Sequence, residues 1–332
     1  MTRIAVLGAG SWGTTLAHLL ACKGDEVRLW AYEAEVVDAV NRERENPVFL
    51  PGVVLAPGIR AFGDQREAVR ECEVVVSAPP SHAVRGVIQG MGDAVPSGTL
   101  VVSATKGIET DTLELMSQVF AECWPHVRYA ALSGPSFAAE VCQGQPTAVV
   151  AAAADEETGR AAQRVFATAT FRVYRNRDVI GVELGGALKN VIAVAAGIAE
   201  GLGMGHNPRA ALITRGLAEI TRLGEAMGAD SITFAGLAGM GDLVLTTTGS
   251  LSRNRSLGVA LGQGQRFDAY RAAHRSVAEG ANTSRAGAAL GRKLGIELPI
   301  TEQVCDVLFR DKPPREALAE LMGRELKSEQ WR

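Results

Sequence analysis

Short apolar runs alternate with helical stretches through the first half of the chain. The apolar runs predict six strands, at residues 4–7, 27–30, 74–78, 100–104, 129–132 and 148–153. Strands that alternate with helices along a sequence build a parallel sheet covered by helices. Residues 46–63 contain three prolines and three glycines, which predicts an irregular excursion in this part of the chain.

After residue 178 the pattern changes to long segments rich in Ala, Leu and Gly, with helical periodicity and few β-branched runs. This change predicts an all-α second domain, and 332 residues are enough for two hydrophobic cores. The predicted fold class is therefore α/β. An N-terminal Rossmann-type doubly wound parallel sheet is expected at residues 1–180, and an all-α C-terminal domain at residues 181–332.

Charge and cysteine content narrow the classes of protein. The 34 basic and 37 acidic residues give a net charge of −3, so the chain has no excess of positive charge with which to bind nucleic acid or an anionic membrane surface. The five cysteines are odd in number and lack CxxC spacing, which argues against a disulfide framework and indicates a reducing, cytoplasmic compartment. Neither the cysteines nor the five histidines have metal-ligand spacing, so we expect no metal.

Two apolar segments have to be weighed as membrane or export signals. Residues 4–22 resemble a secretory signal, but their three glycines interrupt the apolar core and suit a strand, a tight turn and a helix. Residues 179–198 are long enough to span a bilayer. Glu183, Lys189 and Asn190 lie near the middle of that segment, which favours a buried helix that carries a polar site.

A glycine-rich loop follows the first predicted strand and opens a helix that continues through residues 14–22. In this GxGxxG motif Gly8 permits the tight turn, Gly10 lets the backbone approach a pyrophosphate, and Gly13 allows close packing of helix and strand. The alternative is a glycine-rich turn without a dinucleotide, which is less common at the first strand-helix unit. We therefore predict a nicotinamide cofactor, partly covered by the 46–63 excursion.

The choice between NAD and NADP depends on residues just beyond the second strand. Glu33 lies twenty residues after Gly13 and is placed to bind a ribose 2′-hydroxyl, whereas an Arg would accept a 2′-phosphate. Tyr32 is a candidate for stacking on the adenine. Because Glu33 could equally be a solvent-exposed side chain, the sequence leaves NAD and NADP open.

Residues 178–192 combine polar groups with three glycines. On a helix Glu183, Gly186 and Asn190 share one face, and Lys189 points about 100° away from Asn190. Each helical glycine costs about 0.5 to 1 kcal/mol relative to Ala, so their presence indicates a surface that something approaches closely. Tight helix packing, with Lys189 reaching out to water, is an equally good interpretation of this segment alone.

Three further segments carry candidate polar groups. Residues 252–254 resemble a capped helix start where hydroxyl, amide and guanidinium groups bind a phosphate. Two glycines before Asp242 predict a tight turn that presents its carboxylate. Lys106 follows a strand at the carboxyl edge of the sheet, where open α/β folds bind ligands. Each segment alone also fits an exposed loop.

Together these segments resemble the bacterial type of NAD(P)-dependent glycerol-3-phosphate dehydrogenase, over nearly the whole chain. The motifs are GAGSWGT at 8–14, SATKGIE at 103–109, LSGPSFAAE at 132–140, DVIGVELGGALKNVIA at 178–193, GLAGMGDLVLT at 236–246, SRNRSLG at 252–258 and VAEG at 277–280. The family commonly has a basic residue where this chain has Tyr32, which argues against a strong preference for NADP.

The resemblance implies a set of functional residues. Those implied for the cofactor, besides the three glycines and Tyr32, are Ser11, Trp12, Lys106, Ala138, Arg253, Val277 and Glu279. Those implied around the substrate are Lys106, Gly134, Ser136, Lys189, Asp242, Ser252, Arg253 and Asn254. The implied reaction interconverts dihydroxyacetone phosphate and sn-glycerol 3-phosphate for phospholipid synthesis, in a homo-oligomer that is often a dimer.

For catalysis we expect Lys189 to protonate the developing alkoxide, Lys106 to place a second positive charge near the carbonyl oxygen, and Asp242 to orient Lys189. Two other classes of protein remain open. One is a Rossmann dehydrogenase that acts on a hydroxyacid or sugar acid, and the other is a non-catalytic NAD(H) sensor. Substrate profiling separates the first from the expected enzyme, and NAD(H) binding without turnover identifies the second.

Overall fold

A computed structural model of the protein describes residues 1–274, 278–326 and 328–329. One eight-stranded sheet forms the N-terminal half, in the order β3-β2-β1-β4-β5-β6-β7-β8. Its strands are β1 (Arg3–Leu7), β2 (Glu26–Trp30), β3 (Ile59–Phe62), β4 (Val74–Ser77), β5 (Leu100–Ser103), β6 (Arg128–Ser133), β7 (Thr147–Ala152) and β8 (Phe171–Asn176).

Helices cover this sheet, and after β8 the described secondary structure is helical. Those within the first 170 residues are α1 (Ser11–Cys22), α2 (Ala34–Glu43), α3 (Gln65–Val69), α4 (Val84–Met91), α5 (Met116–Cys123), α6 (Ala138–Cys142) and α7 (Glu156–Phe166). Those that follow are α8 (Val179–Gly201), α9 (His206–Ala226), α10 (Ser231–Phe234), α11 (Asp242–Thr248), α12 (Arg253–Gly262), α13 (Phe267–Ala273), α14 (Glu279–Leu294), α15 (Pro299–Phe309) and α16 (Pro314–Met322).

The first six strands have the order 3-2-1-4-5-6 of a dinucleotide-binding Rossmann sheet and run parallel. Helices cover both faces, so the central strands are continuous apolar runs: Val76 and Val102 enter one core, and Val75 and Val101 enter the other. The predicted fold class and all six predicted strands are confirmed. The sheet differs from the prediction in β7 and β8, because β7 pairs with β6 in the antiparallel sense.

The expectation of an irregular 46–63 excursion was wrong at its end, where β3 pairs with β2. This strand has the sequence IRAF, in which a single β-branched residue follows a Pro-Gly pair, so its pattern is weak. Strand β8 was not predicted either. It is an edge strand, and the side chains of FRVYRN alternate between buried and exposed at its start because only one of its two faces is covered.

Helix α8 is the centre of the helical half and packs against α9, α11, α12 and α14. It is long and apolar enough to cross a membrane, but 89% of its most apolar 18-residue stretch is buried inside the protein. Helices α8 and α12 cross at glycines: a Cβ on Gly197 would lie 2.1 Å from the Arg255 oxygen, and one on Gly258 would lie 2.1 Å from the Val194 oxygen. This close crossing brings the start of α12 beside the middle of α8. The predicted domain boundary at residue 180, one residue after α8 begins, stays a prediction.

Candidate active site

The glycine loop lies between β1 and α1, at the point where the strand order reverses between β1 and β4. Gly8 has φ +98°, and a Cβ there would lie 2.9 Å from the Pro79 nitrogen in the loop after β4. A Cβ on Gly13 would overlap the Gly8 oxygen, whereas one on Gly10 would meet no protein atom within 4 Å. Gly8 and Gly13 are therefore required by packing, and Gly10 suits the close approach of a ligand. This is the arrangement that holds a dinucleotide pyrophosphate at a helix N-terminus.

Asn46 supports the glycine loop from behind, a role that the sequence did not reveal. Its amide is fully buried and donates to the Ala9 oxygen and the Thr14 hydroxyl, both at 2.8 Å, while its oxygen accepts from the Phe49 backbone. Asn before Pro47 is an ordinary turn signal, so nothing in the local pattern pointed to this contact. The 46–63 excursion therefore begins by fixing the loop that carries Gly10.

The adenosine end of the cleft is open. Tyr32, directly after β2, is 86% exposed. Glu33 occupies the N-cap position of α2, and its half-buried side chain accepts no hydrogen bond from the helix backbone. No Arg or Lys occurs in residues 31–37. Residues 31–37 therefore present two carboxylates and one aromatic ring, and contain no cation of their own.

Two lysines converge on one buried carboxylate at the other end. Lys189 Nζ donates to Asp242 Oδ1 at 2.5 Å and to the Thr246 hydroxyl at 2.8 Å. Lys106 Nζ donates to Asp242 Oδ2 at 2.7 Å and to the Gly134 oxygen at 3.0 Å. The Asp242 side chain is 1% exposed, against 8% for Lys189 and 16% for Lys106. The three predicted catalytic residues therefore form one cluster, together with Thr246.

The electrostatics of this cluster follow from burial and from the excess of positive charge. Burial lowers the pKa of Lys189 to about 8, with Asp242 opposing that shift and Lys106 adding to it. Burial alone would raise the pKa of Asp242, but the two ammonium groups outweigh it and hold that pKa below its usual value. The cluster therefore pairs a permanent carboxylate with an ammonium that can release a proton near neutral pH.

The predicted tight turn before Asp242 was wrong. Residues Leu237–Gly241 form one turn of π-helix that continues directly into α11, so Asp242 begins a helix. This geometry places Thr246 one turn after Asp242, on the same face. The close approach predicted for the α8 glycines does occur, but the group that approaches Gly185 is the backbone of the π-turn. A Cβ on Gly185 would lie 2.7 Å from the Ala238 oxygen.

The predicted phosphate segment is a capped helix start. Ser252 is the N-cap of α12, and its hydroxyl accepts from the Arg255 backbone. Asn254 is buried, donates to Asn190 Oδ1 at 2.9 Å and accepts from the Gly280 backbone at 2.9 Å. Arg253 forms no hydrogen bond or close ion pair with any residue that the structure describes. Burial of its guanidinium lowers the pKa of Arg253, and the nearby Glu279 carboxylate opposes that shift. Since Asn190 is next to Lys189, the start of α12 lies beside the lysine cluster.

The other predicted site residues lie around the same cleft. Gly134 and Ser136 are joined by a hydrogen bond from the Ser136 hydroxyl to the Gly134 oxygen, and Ala138 begins α6 against α1. The Glu279 carboxylate accepts from the Ser81 hydroxyl at 2.8 Å and from the Ser81 backbone at 3.2 Å. Val277 lies outside the described residues. Ser81 and Thr246 were missed as members of the site, and Asn190 was noted as a polar residue of α8 without its partner, because side-chain pairing across elements leaves no signal in local sequence.

Fold and site together define a dinucleotide-binding protein in which a Rossmann sheet and a helical half meet at a polar centre with two lysines. The family of NAD-dependent glycerol-3-phosphate dehydrogenases matches the chain in two parts, its N-terminus over residues 3–159 and its C-terminus over residues 178–319.

Individual relatives agree with this match. The curated NAD(P)+ glycerol-3-phosphate dehydrogenase from Geobacter sp. strain M21 is 56% identical to the chain, and the match covers 98% of each sequence. The one from Geobacter sulfurreducens is also 56% identical, and the match covers 99% of each sequence. The crystal structure of glycerol-3-phosphate dehydrogenase from Coxiella burnetii is similar with a TM-score of 0.94 at 41% identity, covering 97% of this chain and 99% of that one. The chain belongs to the NAD-dependent glycerol-3-phosphate dehydrogenase family, a family of oxidoreductases.

Proposed function

We propose that this protein reduces dihydroxyacetone phosphate to sn-glycerol 3-phosphate with NAD(P)H, and that it catalyses the reverse reaction. The observation that carries the proposal is the convergence of Lys106 and Lys189 on Asp242, beside a helix start that presents Arg253. Membership of the family supports the same reaction. The glycine loop, with its open position at Gly10, fits the pyrophosphate of the cofactor.

Bound NAD(P)H supplies the hydride that reaches C2 of the ketone. Lys189, in its ammonium form, holds the proton that the developing alkoxide requires. Lys106 places a second positive charge near the same oxygen, which lowers the barrier electrostatically. Asp242 orients both lysines and stays ionised. Since the pKa of Lys189 is about 8, the reductive rate should fall as the pH rises through that value.

Arg253 and the first N–H groups of α12 are proposed to hold the substrate phosphate. A guanidinium and a helix N-terminus both favour a dianion, and neither needs a metal. Holding the phosphate turns remote binding energy into orientation of C2 toward Lys189. The proposed roles of Gly134, Ser136, Ser252 and Asn254 are to shape this pocket and keep the start of α12 in place.

The test is a reductase assay with NADH and with NADPH, on dihydroxyacetone phosphate, dihydroxyacetone and a 2-oxo acid. Reduction of the phosphorylated ketone to sn-glycerol 3-phosphate, with little activity on the other two, is the expected result. Activity on the 2-oxo acid alone would assign the chain to a different dehydrogenase class. Binding of NADH without turnover of any substrate would favour a sensor.

We further propose that the enzyme is a cytoplasmic homodimer that supplies glycerol 3-phosphate for phospholipid synthesis. The near-neutral charge balance and unpaired cysteines support a reducing cytoplasm. Light scattering should give twice the chain mass of 34.9 kDa. A mass equal to that of a single chain would contradict the dimer without affecting the proposed reaction.

A further inference from the structure

A buried carboxylate on α8 connects the helical half to the sheet. Glu183 is 7% exposed. One of its oxygens accepts from the Ser117 backbone at 2.9 Å and from the Tyr129 hydroxyl at 2.5 Å, and the other accepts from the Ser117 hydroxyl at 2.5 Å. Ser117 lies in the first turn of α5 and Tyr129 in β6. The carboxylate therefore joins α8 to one strand of the sheet and to one helix that covers it.

The same helix carries the reactive lysine six residues further on. Between the two lies Gly186, where a Cβ would lie 2.6 Å from the Ser133 hydroxyl and 3.6 Å from Lys106 Cγ. A helix advances about 1.5 Å per residue, so a slip by a single residue would move Lys189 out of hydrogen-bond range of Asp242. The axial position of α8 therefore determines whether the lysine cluster forms.

We propose that Glu183 is a positioning residue for the reaction: its carboxylate fixes α8 against α5 and β6, so that Lys189 meets Asp242 and Lys106. This inference rests on the proposed function of the lysine cluster. Glu183 lies outside that cluster and acts on it only through the position of the helix. Directed hydrogen bonds are suited to this task, since apolar packing alone tolerates small slips between helices.

A matched control residue exists in Glu219 on α9. It is 3% exposed and accepts hydrogen bonds from the backbones of Ile300 and Thr301, at 2.6 and 3.2 Å, at the start of α15. Burial raises the pKa of both Glu183 and Glu219 to about 7, so the two carboxylates have similar surroundings. Glu219 joins two helices that carry none of the proposed catalytic groups. Its removal should therefore affect stability without moving Lys189.

The experiment compares Glu183→Gln, Glu219→Gln and Tyr129→Phe with the unaltered chain. For each protein it measures the thermal midpoint, NADH affinity, and kcat and KM for dihydroxyacetone phosphate between pH 7 and 10. Glu183→Gln should lower kcat about a hundredfold, as expected for a misplacement near 1 Å. Its NADH affinity should change by less than about twofold. Glu219→Gln should lower the thermal midpoint with kcat nearly unchanged, and Tyr129→Phe should lower kcat by a smaller factor than Glu183→Gln.

The pH profile separates positioning from simple destabilisation. Asp242 raises the pKa of Lys189, so a longer distance between them in Glu183→Gln should move the alkaline limb of kcat/KM to lower pH. An unchanged kcat in Glu183→Gln, or equal losses in Glu183→Gln and Glu219→Gln, would overturn the positioning role. If Glu183→Gln fails to fold, the test relies on Tyr129→Phe. A kcat of Tyr129→Phe equal to that of the unaltered chain would then overturn the positioning role. An unaltered chain that is inactive on dihydroxyacetone phosphate would instead refute the proposed function.

Discussion

The two ends of the cofactor cleft differ in whether their polar groups are paired and buried. At the lysine cluster, defined by Lys106, Lys189 and Asp242, every charged group is paired with another at 2.5 to 2.7 Å and is largely buried. At the adenosine end, Tyr32 is exposed and Glu33 makes no capping bond. A change in the cluster leaves a buried charge without its partner, whereas a change at the adenosine end is compensated by water.

This difference predicts a graded response to mutation. Losses should be largest for groups whose charge has no substitute, intermediate for the phosphate contact at the rim, and smallest for residues beside the adenosine. Catalysis is therefore expected to be intolerant of change, and cofactor preference to be adjustable.

The largest effect is expected from Lys189→Met. The methionine keeps much of the apolar packing of the lysine stem, so the protein should fold and bind NADH nearly normally. Turnover should fall by about a hundredfold to ten-thousandfold, the usual range for losing a general acid. Steady-state kinetics, NADH titration and thermal melting check this, with the exposed Lys293→Met as a control that should match the unaltered chain. Loss of NADH binding would show that Lys189 is structural.

An intermediate effect is expected from Arg253→Ala. Deleting a charged donor should cost about 2 kcal/mol of stabilisation of bound dihydroxyacetone phosphate, which corresponds to a roughly thirtyfold lower kcat/KM for that substrate. Unphosphorylated dihydroxyacetone should lose little, and Arg315→Ala, at an exposed position on α16, should change neither substrate. Equal losses for both substrates would indicate that Arg253 acts through the cofactor or the fold.

The smallest effect is expected at the adenosine end. Without a cation in residues 31–37, NADPH should not exceed NADH by a hundredfold in kcat/KM, which would need about 2.7 kcal/mol of discrimination. Tyr32→Arg should improve NADPH relative to NADH by about fivefold to tenfold, because an arginine can pair with the 2′-phosphate. Tyr174→Arg, on β8, provides the matched control. A hundredfold NADPH preference in the unaltered chain would contradict the expectation drawn from the lack of Arg and Lys in residues 31–37.

The sequence pattern was most informative where a segment is buried on both faces. Val74–Ser77 and Leu100–Ser103 are central strands and read as unbroken apolar runs. The two unpredicted strands, Ile59–Phe62 and Phe171–Asn176, are the two edges of the sheet, where polar side chains are tolerated and the apolar pattern is diluted.

For the site, local patterns identified single elements and not their mutual pairing. The cap at Ser252 and the turn at Gly8 are set by neighbouring residues, so both were readable from the sequence. The pairing of Lys189 with Thr246, and of Asn190 with Asn254, joins residues 57 and 64 positions apart, and it depends on how α8 packs. The prediction that both lysines lie near Asp242 therefore depended on the family resemblance. The structure shows the packing of α8 that brings them together.

The most direct test of Lys189 as the proton donor is single-turnover reduction of dihydroxyacetone phosphate by enzyme-bound NADH between pH 7 and 10. The phosphate stays ionised across this range, since its second pKa is about 6. The rate constant for hydride transfer should be nearly level up to about pH 8 and then fall about tenfold per pH unit, as the Lys189 ammonium loses its proton. Lys189→Met should be slow and level throughout. A limb near pH 8 that persists in Lys189→Met, or hydride transfer at the unaltered rate in that variant, would contradict the role assigned to Lys189.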